Sequence, residues 1–249
     1  MKYTVLTYIF GGYECVHEIG MKDPDADYIL VTDDPSLRSR TWRVVVEEQY
    51  GMNAMERCYD VRFHPFRYAE TEYVIRLDSS IEIYQPLRVL VDKMVRGDYD
   101  RCLMIHPGRN TMQDEYEAWI FQRHYPREQA ERCLNIMREL GYSFDYRGLF
   151  QGCFEIVRRN RVNDDINELT YRLLRYAAGD GRIERVDQTF LSFVINHLYS
   201  DRLKVLPVSQ KIVADGAYMQ WYLHNSHRAN RQKPTIKPFM FDRPVIPFI

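Results

Sequence analysis

The sequence predicts an α/β fold in which a mostly parallel, Rossmann-like central sheet carries helices on both faces. Three observations predict it. Short β-rich runs alternate with longer helical patterns, no clear linker divides the chain, and the apolar strand around Ile75 stops abruptly on Asp78-Ser79-Ser80. Strands separated by helical stretches pair in parallel through crossovers. In open sheets of that kind, ligand chemistry gathers at the carboxyl ends of the strands, which makes Asp78 the first candidate site residue. An aspartate followed by serines also opens an ordinary turn, so context has to decide.

The elements follow in order. Lys2 to Ile9 alternates and is β-rich, and Gly11-Gly12 breaks it. Ala26 to Thr32 is a second strand ended by Asp33-Asp34-Pro35, and Trp42 to Glu47 is a third. Met52 to Phe63 is helix-compatible. Glu72 to Ile83 reads as the strand bearing Asp78, and Arg101 to Ile105 as another, stopped by His106-Pro107-Gly108. Thr111-x-x-Asp114 is a capping-box-like start for a helix to Gln122. The next helix runs from Pro126 to Leu140, with Ala130, Cys133, Leu134, Met137 and Leu140 on one face and Gly141 as its C-cap. Gly152 to Val157 is a short strand, Asn163 to Ala178 an amphipathic helix, and Gln188 to Leu198 an apolar helix behind Asp187.

With 249 residues, 45% of them hydrophobic, the chain supplies a substantial core and is read as one domain. Its halves are about 1–105 and 106–228, with a surface tail at 229–249 rich in Lys, Arg and Pro. A formal net charge of -1 excludes a global positive field for nucleic acid or anionic membrane, so any anion must be caught locally. Five cysteines, scattered and never spaced as CxxC, read as reduced buried thiols and not as a disulfide frame or zinc site. The apolar amino-terminal stretch is too short to span a bilayer and lacks a small-residue cleavage site, which makes a cytoplasmic protein the expectation. Nineteen tyrosines suit a cleft that stacks on sugars or bases, although tyrosine is also an ordinary half-buried residue.

The order of features resembles a nucleotide-sugar glycosyltransferase of the GT-A type. More narrowly, Arg57 through Ile83, then His106-Pro107-Gly108-Arg109-Asn110 with Glu115, then Phe150 through Asn160, then Asp187-Gln188, resemble the TOD1/MUCI70 glycosyltransferase-like domain group. The likeness covers roughly residues 50 to 200. It implies a GT-A fold with a nucleotide-binding first half and an acceptor-binding second half. The implied activity moves a sugar from a nucleotide-diphosphate donor, UDP-linked or related, to a glycan or lipid-linked acceptor, as in surface polysaccharide synthesis. Beside it, the charge balance and the short apolar stretch lead us to expect no nucleic-acid partner and no transmembrane segment, with peripheral membrane association left open.

The resemblance also assigns residues. Thr7, Tyr8 and Gly11 stand where such enzymes hold base and ribose, with Asp33 as a further acceptor. Asp78 faces the diphosphate or a divalent metal, Mn²⁺ or Mg²⁺, while the place of the usual second acid is Ser80, one carboxylate fewer for a hard cation. A late histidine, His227 in preference to His224, completes metal or diphosphate contacts, or has an ordinary surface or core role; Arg228, Arg231 and Lys233 close as a lid, or form a solvated tail. Arg57 and Arg62 contact phosphate or base, because a guanidinium binds phosphate oxygens in pairs; surface salt bridging explains them equally well. His106, Arg109 and Asn110 face sugar hydroxyls, or form a polar Pro-Gly turn. Asp187 is base or orienting group with Gln188 on the sugar, Glu115 is the competing base, and an N-cap accounts for Asp187 too. Two other readings stand beside transfer: a non-catalytic glycan- or protein-binding domain, and a sugar nucleotidyltransferase, which the absence of a Gly-rich, Lys-containing triphosphate loop disfavours.

Overall fold

The computed structural model describes residues 1–48, 51–121, 127–141, 148–179, 187–209 and 218–221. It is a single α/β domain built on a seven-stranded sheet. The strands are β1 (Tyr3–Ile9), β2 (Ala26–Thr32), β3 (Arg43–Val46), β4 (Tyr73–Leu77), β6 (Arg101–Ile105), β7 (Phe150–Arg158) and β8 (Val205–Val208), in the order β3-β2-β1-β4-β7-β6-β8. All are parallel to their neighbours except β7, which runs antiparallel to both β4 and β6. A separate two-stranded ribbon pairs β5 (Ile81–Ile83) with β9 (Met219–Trp221). The long strand expected from Glu72 to Ile83 is thus two: a turn closed by Ile81 N donating to the Asp78 carbonyl, 3.0 Å, sends β5 out of the main sheet.

Among the described residues the α-helices are α1 (Ala54–Phe63), α2 (Arg88–Arg96), α3 (Met112–Phe121), α4 (Arg127–Glu139), α5 (Arg161–Ala178) and α6 (Asp187–Phe193), the last continuing as a π turn to Leu198. Their starts are written in side chains. Asn53 accepts from Glu56 N while Glu56 returns to Asn53 N, a full capping box on α1. Thr111 and Asp114 exchange the same pair of bonds at 3.0 and 2.8 Å, as the sequence predicts for α3. Gly141, at φ +96°, takes the left-handed position after α4 that suits glycine. On α4 the expected face is buried except for Leu140, which lies past the end of the helix and is 40% exposed.

The strand alternation divides the core between the faces. Tyr3, Val5, Leu30, Ile75 and Phe154 pack with Leu90, Val91 and Met94 of α2. Leu6, Tyr8, Ile29, Val31 and Val74 pack against Cys58 and Val61 of α1. A third cluster holds α3, α4, α5 and α6 together around Phe63, Leu174 and Phe190. Four cysteines are buried free thiols as expected; Cys15 is exposed, because it sits in the loop after β1 and not on an element. No described helix is long and apolar enough to cross a membrane.

One consequence of the strand order positions a site. From β1 the chain moves outward to β2 and β3, then returns by α1 to place β4 on the other side of β1. The order reverses between β1 and β4, and a crevice opens outside the carboxyl ends of strands where connections depart in opposite directions.

Candidate functional site

The carboxyl ends of β1, β2, β4 and β6 and the amino end of antiparallel β7 lie along one edge of the sheet. That edge collects Tyr8 at the end of β1 and Gly11 after it, Asp33 after β2, Asp78 after β4, His106 after β6 and Gly152 near the start of β7. Asp78 is anchored by its backbone, with its N–H donating to the Cys153 carbonyl at 2.9 Å. Its side chain remains 26% exposed, and Oδ1 accepts from Arg76 Nη1 at 3.2 Å with the Tyr8 hydroxyl at 3.5 Å. Asp78 therefore stands at the mouth of the switch point with one oxygen held and an edge toward solvent.

Behind it lies a buried ionic network absent from the sequence-level expectations. Arg76 and Glu155 are register partners on β4 and β7, and Arg76 Nε donates to Glu155 Oε1 at 2.7 Å. Arg76 also donates to the Gly152 carbonyl. Arg101 of β6 donates to Glu155 Oε2 at 2.9 Å and to Asn167 at 3.0 Å. Arg62 of α1 approaches Glu155 at 3.7 Å and pairs with Asp187, whose other oxygen accepts from the Tyr59 hydroxyl at 3.0 Å. Arg62, Arg76, Arg101 and Glu155 are at most 3% exposed. Charges so enclosed persist only when paired and hydrogen-bonded. Here three arginines are balanced by Glu155 inside and by Asp78 and Asp187 at its two outlets.

The titration of the network follows from this arrangement. Burial would push the Glu155 carboxyl up, but Arg101, Arg76 and Arg62 together outweigh it and hold the group down at about 2. Burial and the neighbouring Arg76 lower Arg62, while burial would lower Arg76 too but Glu155, Tyr8 and Asp78 together outweigh it and leave that guanidinium raised. Burial pushes the Tyr8 phenol well up, so it is a neutral hydrogen-bond donor at any ordinary pH.

Asp187-Gln188 joins this network to a second one. The Gln188 amide donates to Glu115 Oε1 at 2.6 Å, Arg109 Nε lies 2.6 Å from Glu115 Oε2, and Arg109 Nη2 meets His106 Nε2 at 2.8 Å. Glu115 is fully enclosed. Residues read from four separate stretches of sequence therefore form one connected chain, Asp78, Arg76, Glu155, Arg62, Asp187, then Gln188, Glu115, Arg109, His106. Gly152 makes the junction fit: a Cβ there would stand 2.8 Å from both Arg62 Nη1 and Asp187 Oδ2.

Other expected site residues fall as follows. Thr7 is buried in the core. Asp33 receives the Gly11 amide on both oxygens at 3.0 Å, and Gly11, at φ +67°, has a conformation that disfavours other residues. Arg57 is 8% exposed, with its guanidinium spent on Glu47 and on Asp60 at 3.6 Å, so it braces α1 in place of offering a free fork to phosphate. Arg62 is likewise engaged and buried, a positioning group behind Asp187. Ser80 is buried, and its neighbour Ser79 bonds the Tyr13 hydroxyl at 2.8 Å. The Asn110 side chain is at the exposed turn whose backbone N–H caps onto Asp114 at 2.9 Å. His224, His227 and the cations Arg228, Arg231 and Lys233 lie outside the described residues.

The donor set at Asp78 does not fit a hard divalent cation among the described residues. Mg²⁺ and Mn²⁺ want several oxygens. Asp78 offers one carboxylate with a guanidinium already on it, and Ser80 is enclosed. Neither a protein-family model nor, at a significant level, any curated protein matches this chain.

Proposed function

We propose that the protein is a glycosyltransferase of GT-A type that takes a nucleotide-diphosphate sugar, a UDP-sugar first among candidates, and transfers the sugar to a glycan or lipid-linked acceptor. The observation that carries the reading is the convergence of Asp78 at the β1/β4 switch point with Asp187-Gln188 and with Glu115, Arg109 and His106 through one ionic chain. A dissociated set of surface acids would not support it.

The residues divide the work by their exposure. Asp78 presents its open edge as acceptor to donor hydroxyls, while Arg76 and Tyr8 fix its orientation. Asp187 has both oxygens engaged, by Arg62 and Tyr59, which favours the orienting role over that of a general base. Gln188 and the Arg109–Glu115 pair lock the wall on which His106 sits. The leaving diphosphate needs positive charge or oriented donors.

A second reading, a glycan- or protein-binding domain without catalysis, has one observation in its favour: Arg76 occupies the sole carboxylate at the end of β4. Release of nucleoside diphosphate from a panel of nucleotide-sugars separates the two. The transferase reading expects release that Asp78→Ala abolishes and that Asp27→Asn, at the opposite edge of the sheet, leaves intact. Binding without turnover would favour the second reading, and release indifferent to Asp78→Ala would overturn the first.

A further inference from the structure

The loop between β1 and β2 carries three donors of different chemistry within four residues. Cys15 Sγ lies 3.6 Å from Glu14 Oε1 and 4.0 Å from His17 Nε2, and the two latter atoms are 3.9 Å apart. Among the described residues this is the one His/Cys/Asp/Glu group so gathered. The Glu14 and His17 side chains are 3% and 7% exposed, while Cys15 is exposed, so the triangle has a closed floor and an open mouth.

Its size matches a known coordination geometry. Zinc bonds of about 2.3 Å to sulfur and about 2.0 Å to nitrogen or oxygen, set at tetrahedral angles, require donor separations of about 3.3–3.5 Å. The three edges exceed that by a few tenths of an ångström, a closure that side-chain torsions supply. A thiolate, an imidazole and a carboxylate together suit Zn²⁺ and its neighbours over Mg²⁺ or Ca²⁺, which prefer oxygen throughout.

The loop is also held in shape. Tyr13 bonds Ser79, the Trp42 indole donates to the His17 carbonyl at 2.8 Å, Ile19 N donates to Thr41 at 3.0 Å, and Gly20 N donates to the Ile83 carbonyl at 2.8 Å. Donors carried on a pinned loop lose little freedom when an ion arrives.

We propose that Glu14, Cys15 and His17 form a binding site for a zinc-class divalent cation, with water as the fourth ligand. Binding converts the Cys15 thiol to a thiolate and passes its proton to solvent. Through Tyr13 and Ser79 the occupied loop braces the turn that bears Asp78, so the ion acts on the shape of the site edge and not on a reacting bond. The proposal stands apart from the sugar-transfer reading, since its test reads the ion itself.

The test is a Co²⁺ titration of the metal-stripped full-length protein, followed by absorption. The expected result is a saturable thiolate-to-cobalt charge-transfer band that Zn²⁺ displaces. Cys15→Ser, at an exposed position, removes the band while the far-ultraviolet circular dichroism stays unchanged, and Glu14→Gln or His17→Ala weakens Co²⁺ by at least about tenfold. A folded wild-type protein that gives no such band, or a band that survives in Cys15→Ser, overturns the proposal.

Discussion

Arg76 and Glu155 face each other across the β4–β7 pair, both fully enclosed, with Arg76 Nε on Glu155 Oε1 at 2.7 Å. Among the described residues Glu155 is the one acid that Arg62, Arg76 and Arg101 share, so its charge decides whether three buried guanidiniums are tolerated. Replacing it with glutamine keeps the shape and removes the charge. Such a change at a buried pair costs roughly 3–5 kcal/mol because it strands the partners. Urea denaturation of Glu155→Gln should show a midpoint lowered to match; a midpoint near wild type would mean the network contributes little.

The same carboxyl predicts an acid limit. Its folded value of about 2 lies below the ordinary 4.5, so the native state binds its proton less readily than the unfolded chain does. The sign is therefore stabilising above the unfolded value and fading as pH falls from about 4.5 toward 2, with roughly 3 kcal/mol at stake. Denaturation midpoints across that window should fall steeply in wild type and more shallowly in Glu155→Gln. Parallel curves would contradict the assignment.

Gly152 gives a steric test. A methyl group there meets the joined heads of Arg62 and Asp187, which are not free to swing away. Gly152→Ala should lose about 1–3 kcal/mol. It should also reduce ligand binding beyond what the stability loss explains, since the orientation of Asp187 shifts. Calorimetry at a temperature where the variant is folded reads the second effect directly.

His64 supplies a pH effect of opposite sign. Burial lowers it, but its contacts with Asp60, 3.1 Å from Nδ1 to Oδ1, win and leave the imidazole raised above 6.5. A raised folded value means the stabilisation is complete below 6.5 and is lost as pH climbs through the folded value. The stability difference between wild type and His64→Gln should shrink over that rise. A difference that is flat or grows with pH would refute the pairing.

Much of the fold was legible because central parallel strands are apolar on both faces. β1, β2 and β6 read almost to the residue from β-rich stretches ended by Gly, Asp or His-Pro. α2 escaped notice because Leu87 makes no side-chain cap and a proline stands just before it, so the usual start signal is missing. β8 contains Pro207, which argues against a strand, and β5 and β9 pair over a separation that local pattern does not record.

In the site, Asp78, Glu115, Asp187 and Gln188 were legible one by one, but what joins them was not. Arg76 within Val74-Ile75-Arg76-Leu77 and Glu155 within Phe154-Glu155-Ile156 were the available signal. A charge inside an apolar strand must have a buried partner. The partner lies 79 residues away, which no periodicity reveals. Cys15 was misjudged as buried, because composition and spacing do not tell that it sits in the loop after β1 and not on an element.

The most direct measurement is isothermal titration of a panel of nucleotide-sugars into wild type, Asp78→Asn and Asp27→Asn. Wild type and Asp27→Asn should bind one donor alike, and Asp78→Asn should bind it at least about tenfold more weakly, near 1.4 kcal/mol, with its melting temperature little changed. Equal affinity in all three, or no binding of any nucleotide-sugar by the folded protein, would contradict the placement of a donor site at the β1/β4 switch point.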